Sequence, residues 1–144
     1  MAEKLSVQAE RVLIERFGQD CLLSVATIDE QGRPCVRTVN AHYEDRAFYV
    51  ITHARSGKMR QLANNPQAAV CGDWFTAHGV GENLGHVLLP CHAALMNRLR
   101  TAFASWYSNG HVNEQDENTC ILRICLTDGI LFDHGTSYDI DFTR

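Results

Sequence analysis

No apolar run in this 144-residue sequence approaches the length a membrane-spanning helix requires. Basic residues are outnumbered, 13 against 17 acidic, and no Lys/Arg run occurs. The net charge of −4 argues against general nucleic-acid affinity, which needs a dense positive surface to displace phosphate counterions. The six cysteines form no C-x-x-C pair, and the seven histidines form no H-x-x-x-H or Cys/His knuckle. A zinc site and a disulfide framework are therefore not expected. Because most of the cysteines sit in apolar runs such as "AAVCGDW" and "TCILRICL", they read as buried free thiols acting as small hydrophobes. The N-terminal "MAEKLSVQAERVLIERFG" is charged and helical in period, without a signal-peptide core, so the expected location is cytosolic. With no repeats, low-complexity tracts or linker, residues 1–144 are expected to form one domain of ordinary size.

What is present is a succession of short strands. Leu5, Ala9, Val12, Leu13 and Phe17 mark one face of a first helix that Gly18 ends. "CLLSVATID", "CVRTVNAHY" and "AFYVIT" read as a meander of three antiparallel strands, joined by "EQGRP" and "EDR". A short helix over residues 57–64 follows, with Met59, Leu62 and Ala63 as its apolar stripe and Pro66 as its stop. A fourth strand, "AAVCGDWF", precedes the glycine-bearing "HGVGENLG". A longer helix, "HAALMNRLRTAFASWY", is expected to bury Leu95, Leu99, Ala102, Phe103 and Trp106. A polar loop then leads to "TCILRICL", and "TDG" turns the chain into "ILFD" and "SYDIDF". Strands arriving as hairpins argue against a parallel dinucleotide-binding sheet and favour a small antiparallel barrel with a few packed helices. Gly79, Gly81 and Gly85 are spaced one residue too far for G-x-G-x-x-G.

The stretch "FYVITHARSGKMRQLANNP" holds the one local concentration of anion-binding features. Ser56 is a good N-cap residue, and the free amides and dipole beyond it make an anion pocket. Gly57 lets a ligand approach the backbone, Lys58 adds a full charge, and Thr52 adds a hydroxyl at the preceding strand end. Arg37 lies on a strand expected to pair with "AFYVIT", from where it could grip a phosphate in a bidentate manner. The same residues also admit an ordinary reading, as a helix cap and a solvated lysine.

From "GRPCVRTVNAHY" through this stretch to "AAVCGDWF", the chain resembles the pyridoxamine 5′-phosphate oxidase-like superfamily of FMN-binding split barrels, its small bacterial members most closely. The resemblance covers about residues 21–75; the C-terminal strands agree in general pattern. It implies a mainly β fold with helices, a six-stranded antiparallel Greek-key split barrel flanked by helices. It implies FMN as cofactor, with Arg37, Ser56 and Lys58 at the phosphate and Thr52 beside the ribityl chain or ring, Gly57 remaining a cofactor-binding residue through its open backbone. The backbone of Thr38, Val39 and Asn40 would edge the isoalloxazine. It further implies a homodimer with flavins at the interface, and Trp74, where the partner-facing fourth strand would run, either packs on the ring or, the favoured role, fills the interface. The implied activity is electron or hydride transfer to a small molecule, with NAD(P)H a candidate donor.

Two departures qualify what the resemblance implies. The chain ends "SYDIDFTR", without the Trp- and Arg-bearing segment that helps hold flavin and substrate phosphate in true pyridoxamine phosphate oxidases. Oxidation of pyridoxamine phosphate is therefore not expected. Where the family supplies a polar side chain to the neighbouring flavin, this chain has "AHGVGENLG"; Glu82 and Asn83 either take that role or cap a turn. His42, His53 and His78 read as ordinary hydrogen-bonded residues, and no catalytic acid or base is assigned. A non-catalytic flavin or haem module is the alternative, with His78, His86 and His111 as candidate haem ligands; a cofactor-free dimerisation domain is a third. A deazaflavin would need a more basic groove than this acidic chain offers.

Overall fold

The computed structural model describes Met1–Arg144. Its strands are β1 (Glu3–Lys4), β2 (Cys21–Ile28), β3 (Pro34–Glu44), β4 (Ala47–His53), β5 (Gln67–Gly72), β6 (Phe75–His86), β7 (Thr119–Asp133) and β8 (Thr136–Asp141). Its helices are α1 (Val7–Phe17), α2 (Gly57–Asn64) and α3 (Ala93–Ala102), the last entered through a 3-10 turn at Pro90–His92. Three two-residue hairpins organise the sheet, at Asp45–Arg46, Asp73–Trp74 and His134–Gly135, each with positive φ at both residues. That backbone matches the right-handed twist of the flanking strands.

The strand order β7-β4-β3-β2-β5-β6 closes through a β6–β7 pairing into a six-stranded antiparallel barrel. After the β2–β3–β4 meander, β5 returns to pair with β2. The long β7 serves two partners on one edge, β4 along Thr119–Cys125 and β8 along Asp128–Asp133. β1 adds a short parallel pairing to β8. Closure pairs most strand edges and leaves one stretch of β3 open.

The barrel interior and α1 share one core. Ser6 caps α1 by accepting from Ala9 N at 3.1 Å, and Ala9, Val12, Leu13 and Phe17 are buried. Phe17 meets Phe48 edge-on at 5.5 Å and Phe75 at 5.8 Å. Each such side chain, moved from water into the core, contributes roughly 1.5–3 kcal/mol. A second cluster of Tyr49, Met96, Leu99, Phe103 and Ile121 seats α3 on the outside of β4 and β7.

Several expected boundaries move. The run "AAVCGDWF" is not one strand: the chain reverses at Asp73–Trp74, and Phe75 opens β6. Trp74 therefore stands at a hairpin tip, 74% exposed, and not on the fourth strand. "HGVGENLG" is strand, because Ala77, Gly79 and Gly81 fill inward positions that alternate with exposed His78, Val80 and Glu82. The expected "TDG" turn is absent from the continuous β7; a Cβ at Gly129 would lie 2.8 Å from Thr76 O and 2.9 Å from Ala77 Cβ, so the glycine permits close strand contact. α3 ends at Ala102, five residues early, and turns follow. All six cysteines are free, but only Cys120 is buried; Cys71, Cys91 and Cys125 are exposed, Cys71 and Cys125 on outward strand positions.

Candidate functional site

The barrel is split where β3 leaves β4. Their pairing is confined to His42–Glu44 against Ala47–Tyr49, while β3 stays paired to β2 along its length back to Pro34. From Pro34 to Ala41 the other edge of β3 has no strand partner. A cleft of about 490 Å³ lies at this parting, lined by Val39 and Asn40 of β3, Val50 and Ile51 of β4, and Lys58 of α2. Its far wall is Trp106, Asn109, His111 and Val112, from the segment after α3. A second cleft of about 320 Å³ shares Ile51, His111 and Val112 with the first and adds Thr52, His53, Asn113, Asp116 and Thr119. Both volumes lie within, or at the lower limit of, the range of small-ligand sites.

α2 enters this region at its N-terminus. Ser56 occupies the N-cap in extended backbone conformation, but its hydroxyl accepts no cap hydrogen bond. The expected cap role is thus not what its side chain does: Oγ is buried and has no partner. A buried hydroxyl without a partner is costly. No protein atom lies within 4 Å of where a Cβ on Gly57 would stand, so the backbone is approachable there. Burial lowers the Lys58 pKa, the Arg37 charge lowers it further, and Cys120 acts in the opposite direction. Burial likewise raises the Cys120 thiol, against Lys58.

Arg37 reaches this neighbourhood by a different route from the one its strand suggested. It sits opposite Val25 of β2, outside the short β3–β4 pairing. Its guanidinium donates to Thr27 Oγ1 (2.6 Å), Cys35 O (3.2 Å) and Val25 O (3.3 Å), and to Gln61 Oε1 on α2 (3.2 Å). Thr27 is buried and itself donates to Gln61. Arg37 thereby ties β2 and β3 to α2 and lends its charge to the helix entrance.

The expected site residues divide accordingly. Val39, Asn40 and Lys58 share one cleft, Thr52 lines the adjoining one, Ser56 and Gly57 form the helix start, and Arg37 stands behind it. Thr38 is exposed and outside both clefts. Asn83 caps a turn, accepting from Gly85 N at 2.8 Å, and Glu82 pairs with Arg123. His78 pairs with Asp128 at 2.8 Å, His53 faces Asp116 at 3.4 Å, and His42 bonds Glu44 at 3.1 Å. His86 Nε2 lies 2.9 Å from Glu114 O and 3.1 Å from Asp116 O. The far wall has no signature in the sequence, since a polar loop carries no periodicity and Trp106 continues the apolar stripe of the expected helix.

Comparison with known proteins agrees with this architecture. Residues 13–124 match the family described as pyridoxamine 5′-phosphate oxidase. A pyridoxine/pyridoxamine 5′-phosphate oxidase of Acidothermus cellulolyticus is 45% identical over 51 residues, 35% of this chain and 23% of that protein. This chain thus spans about a quarter of the curated relatives it matches. Among solved structures, a FAD-binding protein from Mesorhizobium loti is similar with a TM-score of 0.64 at 16% identity, covering 88% of this chain and 94% of that one. A haem-binding protein from Mycobacterium smegmatis is similar with a TM-score of 0.64 at 14% identity, covering 86% of this chain and 53% of that one. At such identities these likenesses speak for the fold, whereas the family match extends over most of the sequence. The chain belongs to the pyridoxamine 5′-phosphate oxidase family.

Proposed function

We propose that this protein binds FMN in the β3–β4 split and serves as an oxidoreductase passing electrons or hydride to a small molecule. The observation that carries the reading is the unpaired edge of β3 at a cleft that Lys58 also lines. Along Thr38, Val39 and Asn40 alternate backbone groups bond β2, and those aimed at the open edge are left to bond the polar rim of a planar ring, a duty the exposed Thr38 side chain does not need to share. The phosphate belongs at the α2 entrance. There Ser56 Oγ lacks a partner, Gly57 leaves space, and Lys58 with Arg37 supplies positive charge. Thr52 would stand by the ribityl chain.

Bound flavin supplies the redox chemistry, and the protein supplies position and electrostatics. Electron or hydride transfer to and from the ring requires no side-chain nucleophile. A homodimer forms part of the proposal. Val36 (71% exposed) lines an outer-face groove together with Ala26, Ala69, Cys71 and Ile130, and such apolar surface favours a covering partner. The proposed location is cytosolic; no helix is long and apolar enough to cross a membrane.

The absorption spectrum of the purified protein tests the reading. A flavin band, with FMN released on denaturation, is expected; reduction by NAD(P)H and reoxidation by a small acceptor would establish turnover. Protein that stays colourless and takes up no added FMN would overturn it. A haem-binding module is the second reading, favoured by one observation: His111 lines the cleft, whereas His78 and His86 already have partners. A Soret band lost in His111→Ala would support that reading over the first.

A further inference from the structure

Asp20 lies in the bend between α1 and β2 and touches both walls of the cleft. One carboxylate oxygen accepts from Asn40 Nδ2 at 3.0 Å, and the other accepts from Trp106 Nε1 at 3.0 Å. Asn40 belongs to the free edge of β3, and Trp106 to the segment forming the opposite wall. The indole also packs on Phe103 at 5.0 Å and Tyr107 at 6.0 Å, so its orientation is fixed from two sides. The rest of the wall is pinned independently. Glu114 accepts from Arg100 Nε (2.8 Å) and Tyr107 Oη (2.6 Å), and Thr119 Oγ1 donates to Asn113 O (2.6 Å).

An isolated carboxylate serving two donors from opposite walls sets their separation. Both bonds are charge-assisted and geometrically demanding. A tryptophan held at the rim of a narrow cleft, facing a strand edge rich in unpaired peptide groups, suits a planar aromatic guest. The ring would stack on or abut the indole while its polar edge bonds the strand.

We propose that Asp20 is a positioning residue and Trp106 the ring-contacting wall of the flavin site, supplied by the chain's own post-α3 segment. This rests on the FMN reading above and deepens it by naming what holds the ring. The role is distinct from that of Lys58 and Arg37, which concern the phosphate end.

Contact between indole and isoalloxazine quenches flavin emission, which separates this role from a merely structural one. FMN is titrated into the wild-type protein and into Trp106→Phe, Asp20→Asn and Trp74→Phe, reading affinity and the emission of bound flavin. In Asp20→Asn the new amide N–H₂ faces one of the two donors, so half the clamp is lost. Expected are dim bound flavin in wild type and Trp74→Phe, emission raised several-fold in Trp106→Phe, and a partial rise with roughly tenfold weaker binding in Asp20→Asn. Wild-type emission in both Trp106→Phe and Asp20→Asn, with or without a change in affinity, would overturn the inference and leave the FMN reading standing. Failure of the wild-type protein itself to bind FMN would overturn both.

Discussion

Lys58 and Arg37 crowd positive charge at one helix entrance. Burial and then the Arg37 guanidinium hold the Lys58 ammonium below the usual lysine range, and no carboxylate offsets them. In a chain with net charge −4, two cations left in mutual repulsion are a local cost. An anionic ligand between them would relieve that cost.

The two cations have separable consequences. Lys58→Met should weaken FMN binding by about 1.5–3 kcal/mol, the usual scale of a charge-assisted contact, while leaving or raising stability. Arg37→Ala should weaken binding more strongly and also lower the melting temperature, because Thr27 and Gln61 lose their donor. Calorimetric titration beside thermal unfolding would distinguish the two patterns.

The depressed lysine predicts a pH dependence with a definite sign. Between the folded Lys58 pKa and the unfolded value near 10.5, the unfolded chain binds more protons. Stability without ligand should therefore gain from this group as pH rises through that window. FMN affinity should move the other way, falling as the free protein loses the charge. Denaturant unfolding and FMN titration from neutral to alkaline pH would show both trends, and Lys58→Met should abolish this contribution to each.

The seat of α2 depends on Gly81. A Cβ there would lie 2.8 Å from both terminal carbons of buried Leu62. Gly81→Ala should cost about 1–3 kcal/mol through overpacking and weaken FMN by shifting the helix. The pair Gly81→Ala with Leu62→Val should recover part of both losses, as read by urea unfolding and titration.

The outer face offers a further check. Val36→Glu, on an exposed strand position, should convert the proposed dimer to monomer in sedimentation and weaken flavin retention without unfolding the barrel. A monomeric wild-type protein would contradict the dimer.

Much of this was legible because local rules coincide with the fold. The bounds of α2 follow from Ser56 and Pro66, and α1 from its apolar stripe and Gly18. Misreadings came where one residue type serves two purposes. Gly79, Gly81 and Gly129 looked like turn residues, yet each allows a close approach inside the barrel wall. Asp73 and Trp74 form a left-handed turn with no glycine at either turn position. Arg37 stands out in the sequence, but its ties to Thr27 and Gln61 join β2, β3 and α2, and such a contact has no local signature. Asp20 and Trp106 are 86 positions apart, so only the folded chain reveals their bond.

Riboflavin and FMN differ only at the phosphate, so the ratio of their affinities isolates what the α2 entrance contributes. FMN should bind at least about tenfold more tightly, one charge-assisted contact being worth that much or more, and Lys58→Met should narrow the gap. Equal affinity for the two flavins in the wild-type protein, or no binding of either, would contradict the proposed FMN site.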